Sequence, residues 1–206
     1  MRLTVELLQQ LESFFNPCGE HQVNIRGLNI PAIENFGTLK DAYDAVDLTD
    51  NAIQILGGFP CSHRLKTLLL ANNRISQIQP TLSEQLPRLE TLILTKNNID
   101  NLNELSHLAG IPILRLDVTE NRVSQLPDYR LFVIHMLPTL KILDFQKVTQ
   151  KEKEESVKRF GVIAQESSQS SDVKQSETRV IDATNKLETT FSPGEVPPAA
   201  FHPSKK

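Results

Sequence analysis

Cysteine and histidine, the residues most often used in catalysis, are few and scattered in this chain. Cys61-Ser62-His63 places a thiol and an imidazole close together, as in a nucleophile with its base. The triplet falls between two repeats in an expected turn, with no obvious group to orient the histidine, and catalysis needs all three groups together. No glycine-rich phosphate loop, nucleophile elbow or HExxH motif appears. We therefore predict no enzymatic activity and no cofactor.

The composition narrows the class of protein further. Two cysteines, Cys18 and Cys61, are too few for a four-ligand zinc site or a disulfide framework, so we predict no metal. No stretch approaches the roughly 20 apolar residues of a membrane span. The formal net charge of −3 argues against broad, nonspecific nucleic-acid binding. We expect a soluble, intracellular protein with one domain and a tail.

Four copies of one motif organise the middle of the chain. They occupy 43–53, 65–75, 89–99 and 113–123, and each fits the leucine-rich template L-x-x-L-x-L-x-x-N-x-L. Their asparagines stand at 51, 73, 97 and 121, so the steps are 22, 24 and 24 residues. One unit cannot bury its own apolar face, whereas stacked units bury a continuous core. The sequence predicts an α/β fold, a right-handed leucine-rich repeat solenoid with a short parallel sheet on its concave face and helical caps.

The repeat phase also assigns the inward and outward residues. Pairs such as Val46/Leu48 and Leu68/Leu70 alternate with outward residues, which indicates short strands with one buried face. The motif asparagines should point inward and bond to backbone groups, because buried polar groups need partners. We therefore give a structural role to Asn51, Asn73, Asn97 and Asn121.

The segments on either side of the repeats are predicted to cap the solenoid. Helical spacing over 3–14, with Thr4 as N-cap, is followed by a first strand over 23–27. Beyond the repeats we expect a helix over 128–138, a strand-like turn over 140–145 and a charged helix over 149–160. Ser, Gln, Thr and Pro dominate from 161, which predicts disorder. The expected domains are a repeat domain over 1–160, comprising an N-terminal cap (1–42), four repeats (43–123) and a C-terminal cap with helix (124–160), and a disordered tail over 161–206.

Outward strand residues form columns across the predicted sheet. The central column pairs apolar Leu69 and Ile93, which suggests an anchor for a protein partner. Asp47 and Asp117 flank them and would pair with basic residues of that partner. Counting the neighbouring columns, the predicted protein-binding residues are Asp47, Thr49, Thr67, Leu69, Ala71, Thr91, Ile93, Thr95, Asp117 and Thr119. The alternative is that Leu69 and Ile93 are ordinary isolated surface residues, but the repeat phase places them side by side, which favours an interface.

RNA contacts are expected only at the ends of the solenoid. The central columns lack the aromatic platforms and cations that bases and phosphates require. Arg26 continues the outward phase of the first strand, and Lys147 and Lys151 cluster beyond the last repeat. These three residues are the predicted RNA contacts. Taken singly, each of these residues is better explained as a solvated charge.

Motifs outside the repeat template resemble the A-prime proteins of the U2 small nuclear ribonucleoprotein, a family of spliceosome components. The resemblance covers about residues 1–160 and rests on Ile25-Arg26-Gly27, Gly58-Phe59-Pro60, Tyr129–Ile134 and above all Leu143-Asp144-Phe145-Gln146-Lys147-Val148. It implies a nuclear, non-enzymatic protein whose concave face takes a helix of an RNA-recognition-motif protein, called B-double-prime. It further implies that the pair holds a stem-loop of U2 snRNA among other spliceosome proteins, away from membranes.

Three other classes stay open at this stage. A phosphatase-regulating scaffold uses similar repeats, but four repeats are short for that class. An acidic nuclear chaperone is expected to have a long Asp/Glu tail, which this sequence lacks. A tubulin-associated protein shares the capping motif over 129–143.

Overall fold

The computed structural model describes residues 2–172 and assigns 1–165 to one compact unit. Its main element is an eight-stranded sheet, whose strands lie in the order β1 (Ser13–Phe15), β2 (His21–Asn24), β3 (Ala45–Asp47), β5 (Thr67–Leu69), β7 (Thr91–Ile93), β8 (Arg115–Asp117), β9 (Ile142–Leu143) and β10 (Gln146–Lys147). Strands β2 through β9 of that order are parallel, and β1 and β10 close the two ends as antiparallel neighbours.

Short strands, helices and 3-10 turns connect successive strands of the main sheet. Strands β4 (Ile55–Leu56) and β6 (Gln77–Ile78) form a separate two-stranded parallel sheet. The helices are α1 (Val5–Gln9), α2 (Leu82–Gln85), α3 (Leu102–Ser106), α4 (Tyr129–Met136) and α5 (Gln150–Asp172), with 3-10 turns at Phe36–Leu39 and Arg122–Gln125. The structure thus confirms the predicted solenoid. No helix within residues 2–172 is long and apolar enough to cross a membrane.

One continuous core runs under the sheet. The inward leucines of successive repeats, Leu48, Leu70 and Leu94, are completely buried, as is Val118 in the fourth. Full burial of one such side chain contributes about 1.5–3 kcal/mol. Because each row is shared between neighbouring repeats, the repeats stabilise one another.

The motif asparagines point inward and form a ladder of hydrogen bonds to backbone groups. Asn97 is representative: its Nδ2 donates to the carbonyls of Leu70 and Leu94, and its Oδ1 accepts from the Ile75 amide at 2.9 Å. Asn51, Asn73 and Asn121 bond in the same pattern. Each amide therefore joins two repeats and satisfies backbone groups that the turn after the strand leaves unpaired. All four asparagines are buried, as a structural role requires.

The N-terminal cap differs from its prediction. Thr4 does cap α1, accepting from the Leu7 amide, but the helix ends at Gln9 and residues 13–15 form β1 instead. The helix predicted over 3–14 is thus too long by five residues. Pairing explains the change: without β1, the parallel strand β2 would present an open edge.

At the C-terminal end, α4 is confirmed and the last predicted turn is a hairpin of β9 and β10. Helix α5 begins with a capping box, in which Thr149 and Glu152 bond reciprocally. It continues to Asp172, so residues 161–172 are helical rather than disordered. The rest of the predicted tail, 173–206, lies outside the described residues.

Candidate protein-binding face and RNA contacts

The register of the strands places the central column as expected. Asp47 is paired with Leu69, Leu69 with Ile93, and Ile93 with Asp117, on four adjacent parallel strands. We call the outward side of these strands the open face. Leu69 and Ile93 are half-buried, since neighbouring side chains shield them. Two apolar side chains on adjacent strands, about 4.8 Å apart in backbone spacing, make one contiguous contact.

The outward column that follows the central one is held by main-chain hydrogen bonds that continue the strand pairing beyond each strand; it consists of Thr49, Ala71, Thr95 and Thr119. The amides of Asp50, Asn72 and Lys96 donate to the carbonyls of Ala71, Thr95 and Thr119. These three donors have φ between +54° and +60°, and Glu120, in the same position of the fourth repeat, has φ +58°. The left-handed residue turns the chain away from the sheet, so the column side chains line a regular, rigid edge of the open face.

The two aspartates of the open face differ in solvent exposure and in hydrogen bonding. Asp47 is half-exposed, and its Oδ1 accepts from the Thr49 amide at 2.9 Å. Asp117 is only 2 % exposed and accepts from the Thr95 hydroxyl, the Thr119 hydroxyl and the Thr119 amide. The expectation that Asp117 is an open carboxylate is therefore wrong. Its hydrogen bonds order the C-terminal part of the open face, while Asp47 remains accessible to a cation.

Thr67 and Thr91, two residues before Leu69 and Ile93 on the same strands, are half-buried. The hydroxyl of Thr67 donates to Glu20 Oε1 at 2.9 Å, across the sheet from β5 to the loop before β2. Glu20 also accepts from Asn16, so its carboxylate is anchored beside Thr67. Glu20 is a carboxylate near the open face that repeat phase could not reveal, because it precedes the first strand.

The predicted RNA contacts occupy opposite ends of the sheet. Arg26 follows β2, and Lys147 lies in β10, six strand positions away. At about 4.8 Å per strand, that is about 29 Å along the sheet. Lys147 and Lys151 are exposed at one end, on β10 and the first turn of α5. One short RNA segment could contact those two lysines, but not Arg26 as well.

Arg26 already has an acidic partner. Its side chain lies 2.8 Å from Asp50 Oδ2, and Asp50 also accepts from Asn72 at 2.6 Å. The hydrogen bonds from Asn72 and from Arg26 lower the pKa of the Asp50 carboxyl. A phosphate would therefore compete with Asp50 for Arg26.

Cys61 and His63 do come together, with Sγ and Nε2 3.5 Å apart. The nearest carboxylate, Asp41, bonds to the Ser62 hydroxyl and to the His63 and Arg64 backbone amides, not to the imidazole. Asp41 thus stabilises the turn at residues 62–64 and does not orient the imidazole. The Cys61 thiol and the His63 imidazole are both exposed. Across residues 2–172, no three His, Cys, Asp or Glu side chains group to hold a metal ion.

Comparison with known proteins agrees with this geometry. Residues 1–172 match the model of a leucine-rich repeat family. The chain is 44% identical over 161 residues to U2 small nuclear ribonucleoprotein A′ of Arabidopsis thaliana, and 42% identical over 183 residues to that of Schizosaccharomyces pombe. These alignments cover 78% and 88% of this chain, and 65% and 77% of the relatives. The chain thus spans about two thirds of the plant protein's length.

A solved structure is similar over the same region. A chain in the crystal structure of the Drosophila melanogaster SNF/U2A′ complex superposes with a TM-score of 0.75 at 40% identity. The match covers 78% of this chain and 92% of that one.

Proposed function

We propose that this chain, which belongs to the U2 small nuclear ribonucleoprotein A′ family of leucine-rich repeat proteins, is a non-enzymatic nuclear scaffold that binds an RNA-recognition-motif protein on its open face. Together the two proteins would hold a stem-loop of U2 snRNA during pre-mRNA splicing. The partner corresponds to the B-double-prime protein of the U2 particle.

The adjacent pair Leu69 and Ile93 is the observation that carries this proposal. An apolar centre flanked by accessible Asp47 suits one side of an amphipathic helix that has Arg or Lys beside its apolar residues. The Drosophila relative was crystallised as a complex with SNF, which supports a protein partner. The open face suits RNA poorly, because its central column holds no cation and no aromatic ring.

The two proteins would have different roles in RNA binding, because their surfaces differ in chemistry. An RNA-recognition motif reads single-stranded bases by stacking them on its sheet, which leaves its helical side free to dock here. The chain would then add phosphate contacts from Lys147 and Lys151 at one end and Arg26 at the other. Phosphate contacts raise affinity and fix orientation without reading sequence.

The proposal is tested by capture from nuclear extract on the immobilised 206-residue chain, followed by sequencing of the RNA and identification of the proteins. Enrichment of U2 snRNA with an RNA-recognition-motif protein supports the proposal. Enrichment of a phosphatase or of tubulin, without U2 snRNA, would point to the other classes of repeat scaffold. A chain carrying Leu69→Glu and Ile93→Glu is the control, and it should recover neither.

A further inference from the structure

The tip of the C-terminal hairpin carries an exposed aromatic ring. Phe145 is 80 % exposed, the most of any large apolar side chain among the described residues. It lies with Asp144 in the two-residue turn between β9 and β10, and both have positive φ, +63° and +49°. Such turns favour Asn or Asp followed by Gly, because a bulky side chain is strained there. Neither burial nor backbone preference explains a phenylalanine at this position, and unexplained strain of this kind is typical of functional positions.

The turn is held rigidly from both sides. Asp144 accepts from the Val118 amide at 2.8 Å and from the Tyr129 hydroxyl at 2.9 Å. Arg130 donates to the carbonyls of Leu143 and Lys147, one on each strand of the hairpin. The ring of Phe145 is therefore presented on a fixed backbone, so little conformational entropy is lost when a ligand stacks on it.

The surface beside the ring is basic. A shallow groove next to the hairpin is lined by Lys141, Lys147 and Lys153 with Gln150 and apolar side chains, and by no acidic residue. Lys147 belongs to this groove and stands two residues from Phe145. The nearby carboxylate of Glu152 is occupied by Arg130 at 2.6 Å. An exposed ring beside a cluster of lysines matches the two requirements of single-stranded nucleic acid, a stacking surface and phosphate partners.

We propose that this hairpin binds unpaired RNA, with one base stacked on Phe145 and the neighbouring phosphates against Lys141 and Lys147. The third lysine of the groove, Lys153, already donates to the Pro138 carbonyl at 2.8 Å. The assignment deepens the proposed function and rests on it for the presence of RNA. A protein partner fits this site less well, because the open face pairs apolar side chains with an accessible carboxylate, whereas the hairpin has a single exposed ring next to a groove lined by lysines.

The test uses the full chain and a fluorescein-labelled oligouridylate of about twelve nucleotides, followed by fluorescence anisotropy. We expect Phe145→Ala to weaken binding about tenfold, whereas Phe145→Trp keeps the affinity, since a stacked base contributes on that order. Phe15→Ala is the matched control: Phe15 is 74 % exposed at the opposite end of the sheet, and its loss should change nothing.

Salt dependence separates the two kinds of contact. Phe145→Ala should leave the slope of log K against log salt unchanged, whereas Lys147→Gln should reduce it by about 0.7, the value per phosphate of a single strand. The proposal is overturned if the chain does not bind the oligouridylate, if Phe145→Ala binds like wild type, or if Phe15→Ala weakens binding equally. It is also overturned if Phe145→Ala impairs only the capture of a protein partner.

Failure of this proposal can be told from failure of the proposed function. Recovery of U2 snRNA from extract by the Phe145→Ala chain, with unchanged oligouridylate affinity, would leave the scaffold function and remove the stacking site. If the wild-type capture contains no U2 snRNA but Phe145→Ala weakens oligouridylate binding tenfold, the stacking site is supported and the scaffold function is contradicted.

Discussion

Tyr129 donates its phenolic hydrogen to Asp144 at 2.9 Å, and this pair ends the repeat array. In each of the first three repeats, the first amide after the strand donates to the last carbonyl of the next strand. The pairs are Leu48 to Leu69, Leu70 to Ile93 and Leu94 to Asp117. The equivalent amide of the fourth repeat, on Val118, donates to the Asp144 side chain instead. Strand β9 ends at Leu143, one residue short of the equivalent position, and the Asp144 carboxylate fixed by Tyr129 takes the place of the main-chain carbonyl.

Leu69→Glu or Ile93→Glu should abolish binding of the protein partner while the fold stays intact. Loss of a hot-spot anchor costs about 2 kcal/mol or more, and a buried unpaired carboxylate adds to that. Calorimetric titration with the captured partner measures the affinity, and circular dichroism checks the fold. Ile55→Glu is the control, because Ile55 is exposed on the small β4–β6 sheet. Unchanged affinity of the Leu69 and Ile93 variants would place the interface elsewhere.

The repeat period predicted most of the fold, because each leucine and asparagine position has one geometry in a stacked array. Register therefore placed Leu69 beside Ile93 correctly. Asp117 was mistaken for an open carboxylate, because strand phase does not show that the hydroxyls of Thr95 and Thr119 enclose it. Strand β1 was mistaken for helix, because apolar spacing continues through residue 14 and only pairing with β2 decides between them.

The C-terminal hairpin illustrates the same limit. The apolar residues Leu140, Leu143 and Phe145 predict a closing strand-like turn, and nothing in their spacing shows that the ring of Phe145 faces solvent. The exposure follows from the positive φ values, which depend on the bonds of Asp144 to Val118 and Tyr129. Contacts between residues this far apart in sequence are not encoded in a local pattern.

Asn97→Ala should lower the free energy of unfolding by about 1–3 kcal/mol, because it leaves buried backbone groups without partners. Urea unfolding monitored by circular dichroism gives the value. Asn98→Ala is the matched control, since the neighbouring side chain is exposed. Equal stabilities of the two variants would contradict a ladder that links the repeats.

Glu152 should make the C-terminal cap sensitive to acid. Its hydrogen bond from Arg130, together with bonds from Thr149, lowers the pKa of the Glu152 carboxyl to about 2. A depressed pKa in the folded state contributes stability above the unfolded pKa of about 4.3, and that contribution is lost as pH falls through about 2. Glu152→Gln should therefore cost about 1–2 kcal/mol at pH 7 and almost nothing near pH 2, when measured by urea unfolding. Exposed Glu155→Gln serves as the control, and a cost that does not change with pH would exclude the ion pair as its source.

Phe145→Gly should stabilise the fold by about 1 kcal/mol, because the left-handed conformation is unfavourable for a bulky residue and free for glycine. Thermal unfolding measures the gain. Phe15→Gly should instead destabilise, since Phe15 lies in strand β1, where glycine costs backbone entropy. A stabilised variant that also loses RNA affinity would show that strain is kept for binding; a destabilised Phe145→Gly would mean that the ring supports the hairpin.

Arg26→Ala combined with Lys147→Ala should lower the affinity of the ternary complex for the stem-loop and flatten its salt dependence. Each phosphate neutralised on a duplex contributes about 0.9 to the slope, by analogy with B-DNA. The single variants should be unequal, because Arg26 must leave Asp50 to reach a phosphate whereas Lys147 is exposed. The preferred loop sequence should not change, since phosphate contacts position RNA without specifying it. The measurement is a salt titration of stem-loop binding for the wild type, the two single variants and the double variant. The control is the charge-matched double variant Arg74→Ala with Arg88→Ala. Equal slopes throughout would mean that the solenoid acts through its protein partner alone, and that its terminal cations are only solvated.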